Sequence, residues 1–290
     1  MDIIIQAIIL GIIQGVTEFI PISSSAHLAV FPWLFNWTEI SPSFDLALHV
    51  GTLLALIVFF FKDGIELIKN GFAYLIVKIS SSNNKGDKAK LKIDGTKEKN
   101  GKMFWYIVAA TIPAGILSLI LDKISEKIIG ENITVNIILI AIASIIMGLL
   151  LYFVDKKSNG DKLFKDYSFK HTMLIGMSQA FAAAFPGVSR SGVTITTSRK
   201  LGYDRESSAK LSFLLSIPIV LAGVLVKIKD FDFTYAIAFV LGIVFSFVVG
   251  LIVIKALFIF LKNNDYKAFS IYRVVFGILL LIGVIIRMFI

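Results

Sequence analysis

Gly11-Ile12-Ile13-Gln14 runs on through Glu18 to Pro21-Ile22-Ser23-Ser24-Ser25, and Gly176-Met177-Ser178-Gln179 runs on to Pro186-Gly187-Val188-Ser189-Arg190-Ser191-Gly192. A pattern of Gly, Gln, Pro and Ser thus occurs twice, with Gly11, Gln14, Pro21 and Ser24 each matched 165 residues downstream. Both copies lie inside long apolar stretches. Residues 3–35 carry Glu18 and His27 as their only ionisable groups, and residues 172–198 carry only Arg190. Proline followed by small polar residues interrupts a helix. Backbone broken at membrane depth is tolerated only where protein or a wet cavity covers it.

The rest of the chain supplies the membrane. Of its 290 residues, 57% are hydrophobic and 17% charged, with a mean hydropathy of +0.84. A soluble domain is about half apolar and about a quarter charged, so an ordinary soluble enzyme, a disordered chain and a fibrous repeat are excluded. The absence of cysteine excludes disulfides, thiolate-bound zinc and thiol catalysis. Six apolar runs reach the ~20 residues needed to cross a bilayer, near 43–61, 103–121, 133–154, 208–226, 233–261 and 269–290. The N-terminus lacks a basic leader region, so no cleavable signal peptide is expected.

Charge orients these runs. Segments 62–102, 156–170, 199–210 and 262–268 hold 21 Lys and Arg, whereas 29–42, 122–132 and 227–232 hold 4. This alternation is consistent with six crossings if 3–35 and 172–198 each enter and leave on one face. The predicted fold is an all-α integral membrane protein: six transmembrane helices plus two re-entrant helical hairpins. Three spans separate the hairpins, so they enter from opposite faces, as an inverted-topology repeat requires. Repeat 1 covers about 1–155 and repeat 2 about 171–290, in a single polytopic domain. The Lys-rich side is cytoplasmic by the positive-inside rule, with both termini outside. The net charge of +9 is then loop charge rather than a nucleic-acid footprint. Segment 62–102 is expected to be a cytoplasmic loop, solvated over 80–101, and Lys255 and Arg273 are expected to snorkel from helix ends.

Inverted repeats place their site near the midplane, where the broken elements meet. Glu18, Ser24 and His27 are thereby brought to Ser189 and Arg190. Charge at that depth costs about 2.5–3.5 kcal/mol, which points to function. The guanidinium of Arg190 matches phosphate oxygens in a fork. Around it Ser189, Ser191, Gly192 and Thr194 offer hydroxyls and close backbone approach. Gln14 shares a helix face with Glu18, and Ser23 belongs to the serine run beside Ser24. His27 is three residues from Ser24, a spacing that suits an acid or base serving a hydroxyl. Asp45 and His49 share a face and are expected to form a polar cap at the outer end of their span. His171 is expected to be a boundary residue without a role. Phosphoryl chemistry on a lipid-borne phosphate fits the set, with a divalent cation, Mg²⁺ or Ca²⁺, held by Glu18 and phosphate oxygens. The main alternative is a lipid-phosphate flippase or ion-coupled transporter using the same arginine.

Gln14-Gly-Val-Thr-Glu18-Phe-Ile-Pro21-Ile-Ser-Ser24-Ser-Ala-His27 resembles the first signature of the bacterial undecaprenyl-diphosphate phosphatases of the bacitracin-resistance type. Pro186-Gly-Val-Ser189-Arg190-Ser191-Gly192-Val-Thr194 resembles the second, and Phe44 to Ala55 resembles the segment between them. The resemblance covers essentially the whole chain. It implies metal-dependent hydrolysis of undecaprenyl diphosphate in the cytoplasmic membrane, at a site opening outward, to recycle the carrier lipid for peptidoglycan. It also implies that Glu18 is the second acid of an acid-x-x-x-acid motif, Ser24 a proposed nucleophile, His27 a catalytic histidine and Arg190 a phosphate-binding arginine. Gln14 stands where many members carry Glu, and His49 where Gln is common. Expected partners are the polyprenyl diphosphate lipid, bulk membrane lipids and a possible homodimer, with no nucleic acid. Serine, histidine and water all remain open as nucleophile.

Overall fold

The computed structural model describes residues 2–37, 40–41, 43–83, 94–129, 132–227 and 235–289. Helix α1 (Ile3–Thr17) starts where Asp2 Oδ1 accepts from Ile4 N at 3.0 Å, and it stops at Glu18. Helix α2 (Ser24–Phe35) returns after the first break. Next come α3 (Phe44–Phe59), α4 (Phe61–Asn83), α5 (Gly95–Ile129) and α6 (Ile133–Lys157). The second broken stretch is α7 (Phe169–Ser178), a short α8 (Ala180–Ala184) and α9 (Arg190–Lys200). It is followed by α10 (Arg205–Lys227), α11 (Ala236–Leu261) and α12 (Lys267–Phe289). Among the described residues there is no strand, only an isolated bridge between Lys162 and Tyr203.

Among the described residues five helices, α5, α6, α10, α11 and α12, are long and apolar enough to cross a membrane. Together α3 and α4 form a sixth apolar unit, bent by 73°. The bend falls at Phe60, whose φ of −95° and ψ of 18° end α3. An aromatic knot holds it: Phe59 stacks on Phe258 at 5.6 Å, and Phe60 meets Phe213 at 6.4 Å. By contrast α1, α2, α7 and α9 have 15, 12, 10 and 11 residues. At ~1.5 Å per residue none spans a ~30 Å hydrocarbon layer.

Segment 62–102 is not the loop expected from its lysines. Residues 61–83 and 95–102 are helical, and only 84–93 of the expected solvated stretch lie outside the described residues. Ile65, Leu67, Ile68, Phe72, Leu75, Ile76 and Ile79 recur at helical spacing among the polar positions, so α4 is amphipathic. Trp105 anchors α5 to it by donating Nε1–H to Gly71 O at 2.9 Å.

Helices α1 and α3 pack on α11, α6 packs along α12, and α5 contacts α4, α7 and α8. At the Lys-rich end, buried Asp155 accepts from Arg199 Nε at 2.6 Å and pairs with Arg205 Nη2 at 3.1 Å. The backbone N–H of Tyr266 joins the same carboxylate at 3.2 Å. His171, expected to be inert, bonds Tyr203 Oη at 2.8 Å. Burial, then the nearby Lys162 and Lys170 ammoniums, pull its pKa below the ordinary histidine value.

Candidate active site

Each break ends in a serine forced to positive φ, Ser23 at 77° and Ser189 at 72°. Each serine then caps the helix that follows. Ser23 Oγ accepts from Ala26 N at 3.4 Å, and Ser189 Oγ accepts from Gly192 N at 3.0 Å. Each hydroxyl also meets the one two residues on, Ser23 with Ser25 at 3.2 Å and Ser189 with Ser191 at 3.2 Å. The conformational counterpart of Ser189 is therefore Ser23, not the Ser24 that the sequence pattern matches to it. The second loop holds one more residue between its proline and its capping serine. Gly187 absorbs it at φ 87°, where an added Cβ would lie 2.8 Å from Ile140 O.

The slip makes Ser24 and Arg190 equivalent, each the first residue of its helix. Both engage the same carboxylate. Ser24 Oγ donates to Glu18 Oε2 at 2.6 Å, and Arg190 Nη2 donates to Glu18 Oε1 as a salt bridge. Gln14 Nε2 adds a bond to Glu18 Oε2 at 3.0 Å and approaches Thr52 Oγ1 at 3.5 Å. Two helix N-termini, with their unpaired N–H groups and positive dipole ends, thus converge on one anionic point.

A cavity of about 250 Å³ opens there. Glu18, Ser23, Ser24, Ser189, Arg190 and Ser191 line it, as expected of site residues. His49 lines it too, with Nε2 3.6 Å from Glu18 Oε2 and Nδ1 2.8 Å from Asp45 O. His49 is thus part of the site wall rather than a cap at the outer end of α3. Ser118 from α5 and Ile219 from α10 complete the wall, and neither carried a sequence signal. Gln179 also faces the cavity, 3% exposed, with neither amide atom hydrogen-bonded. Its place in the repeat, opposite Gln14, was the available signal.

Four expected site residues lie off the cavity wall. Gln14 is fully buried behind Glu18. Thr194 Oγ1 bonds Arg190 O at 2.8 Å and Ser212 Oγ at 2.7 Å, so its hydroxyl is used inside the protein. Gly192 is where the chain passes close to Arg273, whose Nη1 would sit 3.0 Å from an added Cβ. His27, expected to serve the Ser24 hydroxyl as acid or base, is turned away from the cavity. Its Nδ1 is 2.7 Å from Ser23 O, its Nε2 is 2.7 Å from Tyr272 Oη, and its ring stacks on Phe276 at 4.6 Å.

Arg273 does not snorkel. It is 1% exposed and reaches both breaks at once. Nη1 donates to Pro21 O at 3.0 Å, Nη2 to Gly187 O at 2.6 Å and Val188 O at 3.2 Å, and Nε to Ser144 O at 3.4 Å. The carbonyls of Pro21, Gly187 and Val188 lie at the breaks, outside any helix, so the guanidinium satisfies groups that would otherwise be orphaned.

Among the described residues no group of three or more His, Asp or Glu forms a ready-made cation site. Gln14 turns its Nε2 donor, not its oxygen, to Glu18, which leaves Glu18, among the described residues, as the one carboxylate lining the cavity. One carboxylate fits a hard cation whose remaining ligands come from substrate phosphate and water.

Residues 7–279 match the family described as Bacitracin resistance protein BacA. The chain is 40% identical over 287 residues to the undecaprenyl-diphosphatase of Pelotomaculum thermopropionicum, covering 99% of this chain and 98% of that one. It is 41% identical over 271 residues to the enzyme of the same name from Caldicellulosiruptor bescii, 92% of each chain. A third relative of that name, from Moorella thermoacetica, is 36% identical over 278 residues, 96% of each.

Proposed function

The chain belongs to the bacitracin resistance protein BacA family, and from that membership we infer that it is an undecaprenyl-diphosphatase. It is a multi-pass membrane hydrolase that converts undecaprenyl diphosphate to undecaprenyl phosphate and inorganic phosphate, which serves cell-wall synthesis and bacitracin resistance. The relatives' names favour this hydrolase over the carrier considered from sequence.

The finer reading is an inverted repeat with six crossings and two re-entrant hairpins, its cavity opening to the outer face of the cytoplasmic membrane. The matched positive-φ serines support it, as does the exchange of partners, α1 packing on α11 and α7 on α5. One observation carries the chemistry. Ser24 and Arg190, each heading a helix that follows a break, share the carboxylate of Glu18 in one cavity. In this reading Arg190 grips oxygens of the terminal phosphate, with Ser189 and Ser191 beside it. Glu18 Oε2 takes the proton of Ser24 Oγ, or of a water that Ser24 orients. An oxygen–phosphorus bond forms on the terminal phosphorus, and the bridging oxygen leaves with the lipid monophosphate. If Ser24 is the nucleophile, water then cleaves the phosphoserine. His27 holds the strained Ser23 carbonyl, and so sets the direction of α2, rather than touching phosphate.

Glu18 would hold a divalent cation together with phosphate oxygens. Bound, that ion would neutralise phosphate charge and orient the oxygens for attack. The test is phosphate release from undecaprenyl diphosphate by the detergent-purified chain, with and without a chelator. Release that a chelator stops supports the whole reading. Release that persists removes the cation, and none under either condition removes the hydrolase.

A further inference from the structure

Away from the active site, at the Lys-rich end of the bundle, a polar chamber of about 400 Å³ lies between the end of α6 and the start of α12. Its walls carry Lys156, Arg205 and Lys267, with Tyr152, Asp155 and Asp265. The acids leave Lys156 and Lys267 unpaired. Asp155 is already met by buried Arg199 behind it and by Arg205, while Asp265 Oδ1 accepts from Lys267 N at 3.0 Å, capping α12. Among the described residues, Lys156 and Lys267 have no carboxylate within ion-pairing distance. Lys156 Nζ rests instead 5.7 Å from the ring centre of Tyr152.

The chamber continues into an apolar groove of about 290 Å³ along the same helix pair. Tyr152 and Lys267 line both spaces, and Leu149, Ile271, Val274 and Val275 carry the groove toward the middle of the helices. Ile271 and Val275 are about half exposed, on the surface that a membrane protein turns to lipid. A cationic chamber at a helix-end boundary, joined to an apolar channel parallel to the helices, has the shape and polarity of one molecule. That molecule has an anionic phosphate head and a hydrocarbon chain. Basic pockets between helices on this side of membrane proteins take anionic headgroups. The aromatic ring at the neck fits the interfacial position that tyrosine favours.

We propose that the α6–α12 chamber and groove form a binding site for an anionic glycerophospholipid, its phosphate against Lys156, Arg205 and Lys267 and one acyl chain along Val274 and Val275. The site rests only on the chain being a membrane protein, and it is separate from the cavity at Glu18. Zwitterionic lipid is selected against because its own ammonium would meet Lys156 and Lys267.

The test is native mass spectrometry of the full-length chain from mixed micelles holding equal phosphatidylglycerol and phosphatidylcholine. One phosphatidylglycerol should be retained preferentially. Lys156→Ser and Lys267→Ser should each weaken retention about fivefold, the worth of one interfacial cation. Val275→Trp should weaken it by filling the groove while both lysines remain. Phosphate release in zwitterionic detergent should be unchanged in all three variants and serves as the check on folding. Equal retention of the two lipids would overturn the proposal, as would undiminished retention in the double lysine variant. Displacement of phosphatidylglycerol by an equal amount of undecaprenyl phosphate would overturn the assignment to a glycerophospholipid.

Discussion

Arg273 donates Nη1–H to the carbonyl of Pro21 at 3.0 Å, bonding the first break from a helix more than 250 positions later. Its other terminal nitrogen bonds Gly187 and Val188 in the second break. The two loops that carry Ser24 and Arg190 are therefore tied through one guanidinium. Arg273→Met should leave these carbonyls unsatisfied at about 1–3 kcal/mol each. The expected result is a lower thermal midpoint together with lost turnover. Arg273→Lys restores the charge but only part of the donor fork. It should recover midpoint more than kcat, because one ammonium cannot hold both loops in register. Recovery of both to the same degree would reduce Arg273 to a stabiliser.

Arg190→Lys keeps a cation opposite Glu18 and loses the planar fork. Turnover should fall by about 100-fold or more, the range for a lost transition-state donor. Near-normal kcat in steady-state phosphate release would remove the phosphate grip from Arg190.

Glu18→Gln should abolish release whatever cation is supplied. The variant also tests Ser24. If Glu18 takes the proton during attack by Ser24, labelled phosphate should be trapped on wild-type Ser24 during turnover and not on the variant. Absence of any adduct in wild type, with turnover intact, would favour water as the nucleophile.

Gln179 gives a prediction in which stability and activity move apart. Its amide is buried, faces the cavity and lacks partners. Replacing an unsatisfied polar group by an apolar one of similar size is neutral or stabilising. Gln179→Leu should therefore raise or preserve the thermal midpoint while increasing KM for undecaprenyl diphosphate. A variant with unchanged KM and kcat would show that the amide does not meet substrate.

Much of this was legible in the sequence because membrane burial is one-dimensional. Apolar runs marked the long helices, and the proline–serine breaks stood out inside them, so Glu18, Ser24 and Arg190 came together correctly. What failed depended on where helices start and on contacts between elements remote in sequence, which hydropathy does not mark. Arg273 was read as a helix-end residue, but α12 starts at Lys267, which places it about 9 Å up the helix, at ~1.5 Å per residue. His49 and Asp45 share a helix face by spacing alone, yet the His49 ring turns to Glu18 through a side-chain rotation that sequence does not encode. His27 has the right spacing from Ser24, but the stack on Phe276 and the bond to Tyr272 come from α12, remote in sequence. The lysines of 62–102 masked an amphipathic period, and one extra loop residue made Ser23 rather than Ser24 the conformational match of Ser189.

The ion pair between Glu18 and Arg190 bears on how the site tells its ligands apart. In the resting protein the arginine is already occupied by an anion that cannot diffuse away. Every incoming ligand must outcompete this tethered rival, which acts as if present at very high concentration. In the proposed reading, chloride and other small monoanions should lose that contest. A diphosphate, with several oxygens able to meet Arg190 and two helix N-termini together, can win it. In that reading cleavage shortens the ligand, and the carboxylate, once it has given up the proton it took, is in place to reclaim the arginine and expel inorganic phosphate.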